Sequence, residues 1–579
     1  MKNLLLTCAL MLSATCLMAV PARRTVSTFT QPDGTTIQVM PYGDEFAHFF
    51  TDALTGELLT RDAATGFWRP MKEQEVNEAN ALWDASRLEA AKARKASSPK
   101  RMGGTQTSGD VSLPVLLVEF KDRKFTEQYG SFAHYDSILN SDTYIEHIYT
   151  TSAGKKFYAR SARNYFRSQS ADKFRPTFDI IGPITLDSVY SYYGKNNSAG
   201  SDMNWRKMVS EGINKAINQK LITTASQWDG DGNGVVDLIY VIYAGWAESQ
   251  HQEDENAIWP KNGTFGSVKV PDGTIFAQTS MSSELMWSPK FKYDDTNIKD
   301  DGIGTLVHEF GHALGLPDFY DTGYKYTCYG MDAWSIMDQG CYSGENHIPQ
   351  SMTVHERMML GWMEPEDFPT NDTVITLAPI STSYQGYILR NPANPNEYLT
   401  FENHQHDGNW DEAWASANYT IVPADTGMLI THVDYAASSW SSNTVNNTAA
   451  HQRCTPLCAD GISFGYPNAQ TQEEFNLWRQ NFRSDIFPGL AKVTTLNNEN
   501  PLTIWFTGDS IQINLTNIEQ LENGDLRITV SNPSSTAIES VKTITTDNAA
   551  TKQKRIRLID GRFVIQGFDL LGRKLDIKL

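Results

Sequence analysis

The strongest chemical signal in this sequence is His308, Glu309 and His312, set in Asp301-Gly-Ile-Gly-Thr-Leu-Val-His-Glu-Phe-Gly-His-Ala-Leu-Gly-Leu-Pro-Asp-Phe-Tyr-Asp321. On a helix, residues four apart share a face one turn up, so both imidazoles can reach one metal ion. Glu309 lies about 100° round from His308, flanking the metal and placed to take a proton from a bound water. Ile303, Leu306, Val307, Phe310 and Leu314 gather on the opposite face, which leaves the histidines outside the core stripe. Two histidines are not enough, because a catalytic zinc takes three protein ligands and keeps one position for water. Gly315 can end the helix in the left-handed region and Pro317 forbids its continuation. The chain can then turn back and present Asp318 as the third, oxygen ligand.

These residues need a helix starting near Thr305 and a buried sheet to hold it. Leu113-Pro-Val-Leu-Leu-Val-Glu-Phe120 reads as a buried strand, and Leu238–Ala244 as another. At roughly 150 residues per domain, the chain's 579 residues suggest about four units. The first 19 residues follow the charged, apolar and small-residue order of a secretory signal peptide, with Lys2, Leu4–Leu12 and Ala19. Cys16 would suit a lipoprotein, but Ser13-Ala14-Thr15 fits the required context poorly, so ordinary cleavage is expected. No later run has the length a membrane span needs. Residues 20–110, which end in a basic and then Ser/Gly-rich linker, read as a propeptide; an accessory N-terminal domain is the alternative. Residues 111–365 mix helical and strand signals. Residues 366–535 turn to short β-like runs, and 536–579 form a linker and tail. The formal charge of −19 argues against nucleic acid as a partner.

The segment His308–Asp321 resembles the signature of the immune inhibitor A-type metallopeptidases, a branch of the metzincin-like zinc peptidases. Most metzincins have a third histidine where this chain has Asp318, and an aspartate is what this branch shows. Trp334-Ser-Ile-Met-Asp-Gln-Gly340 resembles the methionine turn, with Met337 beneath the metal. Several metzincins carry a Tyr two residues after that Met; this chain has Gln339, so no tyrosine is assigned to the transition state. The resemblance extends more loosely over residues 25–490. It implies an α+β fold: a metzincin-like zinc peptidase domain with an N-terminal propeptide and a C-terminal β-rich domain. It also implies a secreted or cell-surface zymogen cutting proteins or peptides, with Zn2+ as cofactor and Glu309 as the general base for a zinc-bound water. A thermolysin-like site would instead take a downstream glutamate such as Glu345 or Glu356. An inactive, peptidase-like surface binding protein is the alternative from another class, and it would have no use for Glu309.

Other constellations are secondary. Asp229, Asp231, Asn233 and Asp237 place oxygens as the first two-thirds of an EF-hand loop does, which suggests a structural Ca2+. The twelfth position is Tyr240, so a further ligand such as Glu248 or Glu253 would be needed; the alternative is a Gly/Asp turn before a strand. The cysteines beyond the leader are Cys328, Cys341, Cys454 and Cys458. In an oxidising compartment these suggest two local disulfides. Residues 20–110 contain no cysteine, so no thiolate there can block a metal. Asp44, Glu45 and His48 are the candidate blocking ligands, although surface charges are the simpler expectation. His404, His406, His432 and His451 read as structural or surface groups. The end of the chain resembles a type IX secretion sorting tail, implying export machinery as a partner; a β-hairpin packed on the β-rich region is the alternative.

Overall fold

The computed structural model describes residues 18–532 and, for the backbone alone, three strands between 554 and 576. Within these limits 46–47, 63, 83–104, 151–153, 155, 198–199, 251–253, 287–298, 324–329, 407–409, 412–425, 463–484, 490 and 533–553 lie outside the description, as do 560–561 and 569–573. The N-terminal unit is a five-stranded antiparallel meander: β1 (Ser27–Thr30), β2 (Thr36–Gly43), β3 (His48–Asp52), β4 (Leu58–Arg61) and β5 (Trp68–Pro70). A helix over 73–82, α1, follows it.

The apolar run from Leu113 forms the middle of β6 (Gly109–Glu119), a central strand buried on both faces. Along the chain follow α2 (Phe132–Asn140), the small hairpin β7 (Glu146–Thr150) and β8 (Lys156–Ala159), α3 (Ala162–Gln169) and β9 (Phe174–Thr185). Next come α4 (Tyr190–Gly194), α5 (Trp205–Asn218), β10 (Ile239–Trp246), β11 (Lys261–Lys269) and β12 (Ile275–Leu285). The sheet has the order β11-β12-β10-β6-β9 and is parallel except for the edge strand β11.

Side chains alternate across a strand, so the sheet feeds two cores. Leu113, Val115 and Leu117 of β6, with Tyr240 and Ile242 of β10, pack against the helix α6 (Gly304–Leu314) through Leu306, Val307 and Phe310. Leu116, Val118, Ile239 and Val241 face the other way, onto Met208, Val209 and Ile213 of α5. The predicted helix start near Thr305 and its apolar face are therefore where the structure puts them.

The β-rich continuation is present. β13 (Glu366–Asp367), β15 (Tyr387–Asn391), β16 (Asn394–His404), β17 (Gly427–Asp434) and β18 (Cys454–Pro456) form one sheet, with β19 (Phe487–Pro488) paired to β17. β14 (Thr373–Leu377), β20 (Leu515–Gln520) and β21 (Leu526–Val530) form another. Three of its histidines sit against carboxylates: His404 lies buried between Glu402 and Asp411, 3.0 Å from each, and His432 is 3.0 Å from Glu397. His451 is 2.8 Å from Asp434. In the tail, β22 (Lys554–Ile559), β23 (Arg562–Phe568) and β24 (Lys574–Asp576) make an antiparallel meander rather than a single hairpin.

The disulfide expectation is corrected. Cys341, Cys454 and Cys458 are buried free thiols, and Cys328 lies outside the described residues. Cys454 begins a strand that pairs with β17, and residues four apart in extended chain stand about 13 Å from one another, beyond disulfide reach. Cys454 accordingly joins the main core, while Cys458 packs beside Met40, Tyr42 and Tyr320.

Candidate active site

The site begins with the way α6 ends. Gly315 caps the helix at φ 110°, in the left-handed region, and its N–H reaches back to the carbonyls of Gly311 and His312. The reversed chain brings Asp318 beneath the two histidines. His308 Nε2 and His312 Nε2 each lie 3.3 Å from Asp318 Oδ1, and all three residues are buried. The rings are nearly perpendicular, at 87°. His308 Nδ1 donates to the Ile336 carbonyl at 2.6 Å and His312 Nδ1 to the Leu316 carbonyl at 2.9 Å, which directs both Nε2 lone pairs into the site. Neither Nε2, nor Asp318 Oδ1, nor Glu309 Oε2 has a hydrogen-bond partner. Buried polar atoms are normally satisfied, so this convergence of lone pairs fits a cation.

The surroundings hold the ligands in place. Met337 packs under the helix at Gly311, where an added Cβ would come within 2.7 Å of the methionine sulfur. Asp318 Oδ2 accepts from Asn443 Nδ2 at 2.6 Å, and Asn443 Oδ1 accepts from the Asp318 N–H at 2.7 Å. Burial pushes the Asp318 carboxyl up, but His312 and His308 outweigh it and hold it below its usual range. Glu309 differs. Burial drives its carboxyl well above the ordinary range, the N–H of Val20 opposes this, and Glu45 and Asp318 reinforce it. The thermolysin-like alternatives are not brought to the site. Glu356 belongs to the capping box at Thr353 and bonds Ser335, and Glu345 pairs with Lys299.

A distant segment crosses the cleft. Met18 pairs with Asn262 of the edge strand β11 through Met18 N–H to Asn262 O (3.1 Å) and Asn262 N–H to Met18 O (2.6 Å), an antiparallel bridge. The next carbonyls each meet a donor: Ala19 O the Tyr320 hydroxyl (2.9 Å), Val20 O the Trp259 indole N–H (3.0 Å), Pro21 O the Tyr342 hydroxyl (2.6 Å) and Ala22 O the Gln339 amide (3.0 Å). Val20 N–H donates to Glu309 Oε1 at 2.7 Å. Arg24 ends the run on Asp332, with its N–H on Gln339 Oε1. The expected boundary after Ala19 falls inside this segment.

Asp44, Glu45 and His48 are not surface charges. Asp44 and Glu45 are buried, and His48 lies 3.6 Å from Glu248 and stacks on Trp259. None of them joins the three-ligand cluster; they line the contact between the N-terminal unit and the catalytic region. Asp229, Asp231 and Asp237 do converge, with carboxylate oxygens within 4.8 Å of one another. Asn233 Oδ1 accepts from the Val235 N–H, and Glu248 bonds Asn196 instead of the loop. Glu253 lies outside the described residues.

Sequence reasoning missed Asn443, Trp259, Tyr320 and Tyr342. No spacing rule links Asn443 to a ligand 125 positions away. Tyr320 stood inside the motif, two residues past Asp318, and its proximity was the one available signal.

Two histidines on a helix, an aspartate returned by a glycine turn, and a glutamate between them define a metallopeptidase catalytic domain. Residues 101–361 match the family model for the catalytic domain of immune inhibitor A peptidases (peptidase M6). Among similar proteins, the pre-pro-metalloprotease PrtV of Vibrio cholerae is 29% identical over 259 residues, 40% of this chain and 27% of that protein. Immune inhibitor A of Bacillus thuringiensis subsp. alesti is 26% identical over 272 residues, 41% of this chain and 38% of that protein. The chain therefore spans well under half the length of either relative.

Asn443 generates a prediction about metal affinity. Asn443→Ala should leave His308 and His312 untouched yet weaken zinc binding by about 10–100-fold, because Asp318 loses the partner that orients it. Competition with a calibrated chelator measures this; unchanged affinity would refute the role given to Asn443.

Proposed function

We propose that this chain is the precursor of a secreted, zinc-dependent endopeptidase of metzincin-like fold that cuts extracellular proteins. The observation that carries this reading is the set of buried, partnerless atoms His308 Nε2, His312 Nε2 and Asp318 Oδ1 beside Glu309. These three atoms would hold the ion. Zinc bound there would supply a lowered water pKa and a polarised substrate carbonyl.

The chain's own groups do the rest. Glu309 takes a proton from the attacking water and delivers it to the leaving amine. The donors Trp259, Tyr342 and Gln339 hold a peptide by its main chain. Glu309→Gln should keep zinc at wild-type stoichiometry while lowering casein hydrolysis by about 10²–10⁴-fold. Wild-type hydrolysis by this variant would overturn the mechanism. A processed wild-type chain that binds peptides but cuts none would instead favour the surface binding protein.

Residues 20–110 act as a propeptide in this reading, and the cleft segment explains latency. With Val20 on Glu309 and Arg24 on Asp332, substrate has no access to the catalytic carboxylate. Removal of residues 1–19 at export would still leave Val20–Arg24 held by Trp259, Tyr342, Gln339 and Asp332. Arg24→Ala should therefore raise hydrolysis by the unprocessed chain several-fold, with little effect after the linker is cut. An unprocessed wild-type chain as active as the processed one would rule latency out.

Calcium is assigned to the Asp229–Asp237 loop, as a structural ion. Burial first, and then Asp231 and Asp229, push Asp237 up to about 6, against the Gly230 N–H bond; a cation relieves this crowding. Millimolar calcium should raise the melting temperature, and Asp231→Asn should abolish the rise. A melting temperature indifferent to calcium in the wild type would remove the site.

A further inference from the structure

We propose that Tyr320 is the oxyanion donor of this peptidase: its hydroxyl hydrogen-bonds the carbonyl oxygen of the peptide bond being cut. The inference rests on the endopeptidase reading above and adds a catalytic residue to it.

Two hydrogen bonds bracket one peptide bond of the cleft segment. On its nitrogen side, Val20 N–H points at Glu309 Oε1 at 2.7 Å. On its carbon side, Ala19 O accepts from the Tyr320 hydroxyl at 2.9 Å. The chain around this bond lies as a bound peptide would. Met18 adds antiparallel to the sheet's edge strand, and the carbonyls of Val20, Pro21 and Ala22 are each taken by a side-chain donor. In the precursor, before residues 1–19 are removed, the Ala19–Val20 bond is thus held as a substrate's bond would be, with its N–H at Glu309 and its carbonyl at Tyr320. The group at its carbonyl oxygen is Tyr320.

Tyr320 is held firmly enough for this task. It follows Asp318 by two residues, and between them the Phe319 N–H donates to Met337 O at 2.9 Å while Phe319 O accepts from Asn446 Nδ2 at 2.7 Å. Its ring packs against Met40, Tyr42, Phe49 and Ala53 of the N-terminal unit, so departure of that unit opens the hydroxyl to substrate. Gln339, at the position where related enzymes carry a tyrosine, is already used: its amide binds Ala22 O and the Arg24 N–H.

As water adds to the carbonyl carbon, the π pair moves onto oxygen and the hydrogen bond from Tyr320 becomes charge-assisted. Such bonds are roughly twice as strong as neutral ones. The C–N bond then breaks, the electrons return to the carbonyl, and the amine leaves with the proton carried by Glu309. Tyr320 keeps its own proton throughout.

The test uses the full chain, processed identically, as wild type, Tyr320→Phe and Glu309→Gln. Four quantities are measured: zinc content, kcat and KM on a fluorogenic peptide, affinity for a phosphinic peptide that mimics the tetrahedral state, and affinity for the matching amide peptide in the Glu309→Gln background with and without Tyr320→Phe. Tyr320→Phe should retain zinc and the wild-type melting temperature. Its kcat should fall about 100-fold at nearly constant KM, the scale expected for loss of one oxyanion donor. Phosphinic-peptide affinity should fall with kcat while amide affinity holds. Wild-type kcat in Tyr320→Phe overturns the proposal, as does an equal loss of amide and phosphinic affinity, which would mark Tyr320 as a ground-state contact. Absence of hydrolysis in the processed wild type overturns the endopeptidase reading itself, and this inference with it.

Discussion

The arrangement hangs on one electrostatic constraint: three lone-pair-bearing atoms, His308 Nε2, His312 Nε2 and Asp318 Oδ1, converge where no protein donor serves them. Left alone, such atoms carry the full desolvation cost of buried polar groups. Everything nearby serves to keep them converged. The helix supplies the four-residue spacing, Gly315 turns the chain, Met337 fills the space under Gly311, and Asn443 grips both ends of Asp318. The carbonyls of Ile336 and Leu316 fix the ring orientations from behind. The region's β-rich partner is thus part of the site, because Asn443 comes from it.

The cleft above this point is built by elements with nothing in common but their location. The edge strand β11 provides a backbone bridge, and Trp259, Tyr320, Tyr342 and Gln339 provide one side-chain donor each. All of these bonds go to main-chain carbonyls, which every peptide has. These donors meet the backbone of residues 19–22 rather than its side chains, and the run ends at Asp332, which meets Arg24.

Closure of the cleft is electrostatically demanding. Asp202 holds both Lys261, at 2.9 Å, and the backbone N–H of Trp259, at 3.1 Å, while the Trp259 indole meets Val20 O. Glu45 and Glu248 are buried close by, with carboxyls pushed well above their usual range by burial first. Across this contact His48 lies 3.6 Å from Glu248 and Arg24 pairs with Asp332, so separation of the N-terminal unit takes these partners from both carboxylates.

Much of the catalytic centre was readable along the chain because its parts are local. The span from His308 to Asp318 obeys helix periodicity, a glycine stop and a proline block, and each rule acts over a few residues. The strand around Val115 and the helix start near Thr305 were legible for the same reason. Cys454 and Cys458 show the limit: nearness in sequence suggested a bond that extended backbone keeps apart. Asp44 and Glu45 show it from the other side, since charged residues read as exposed until a partner surface buries them. The sequence by itself therefore determined which residues come together, His308, His312 and Asp318 with Glu309 beside them, because helix spacing and a local stop set their positions. Only the tertiary structure decided that Asn443 steadies a ligand, that residues 18–24 fill the cleft and that Tyr320 faces a carbonyl. Those contacts join segments more than a hundred positions apart, and no local rule of backbone or side chain reaches that far.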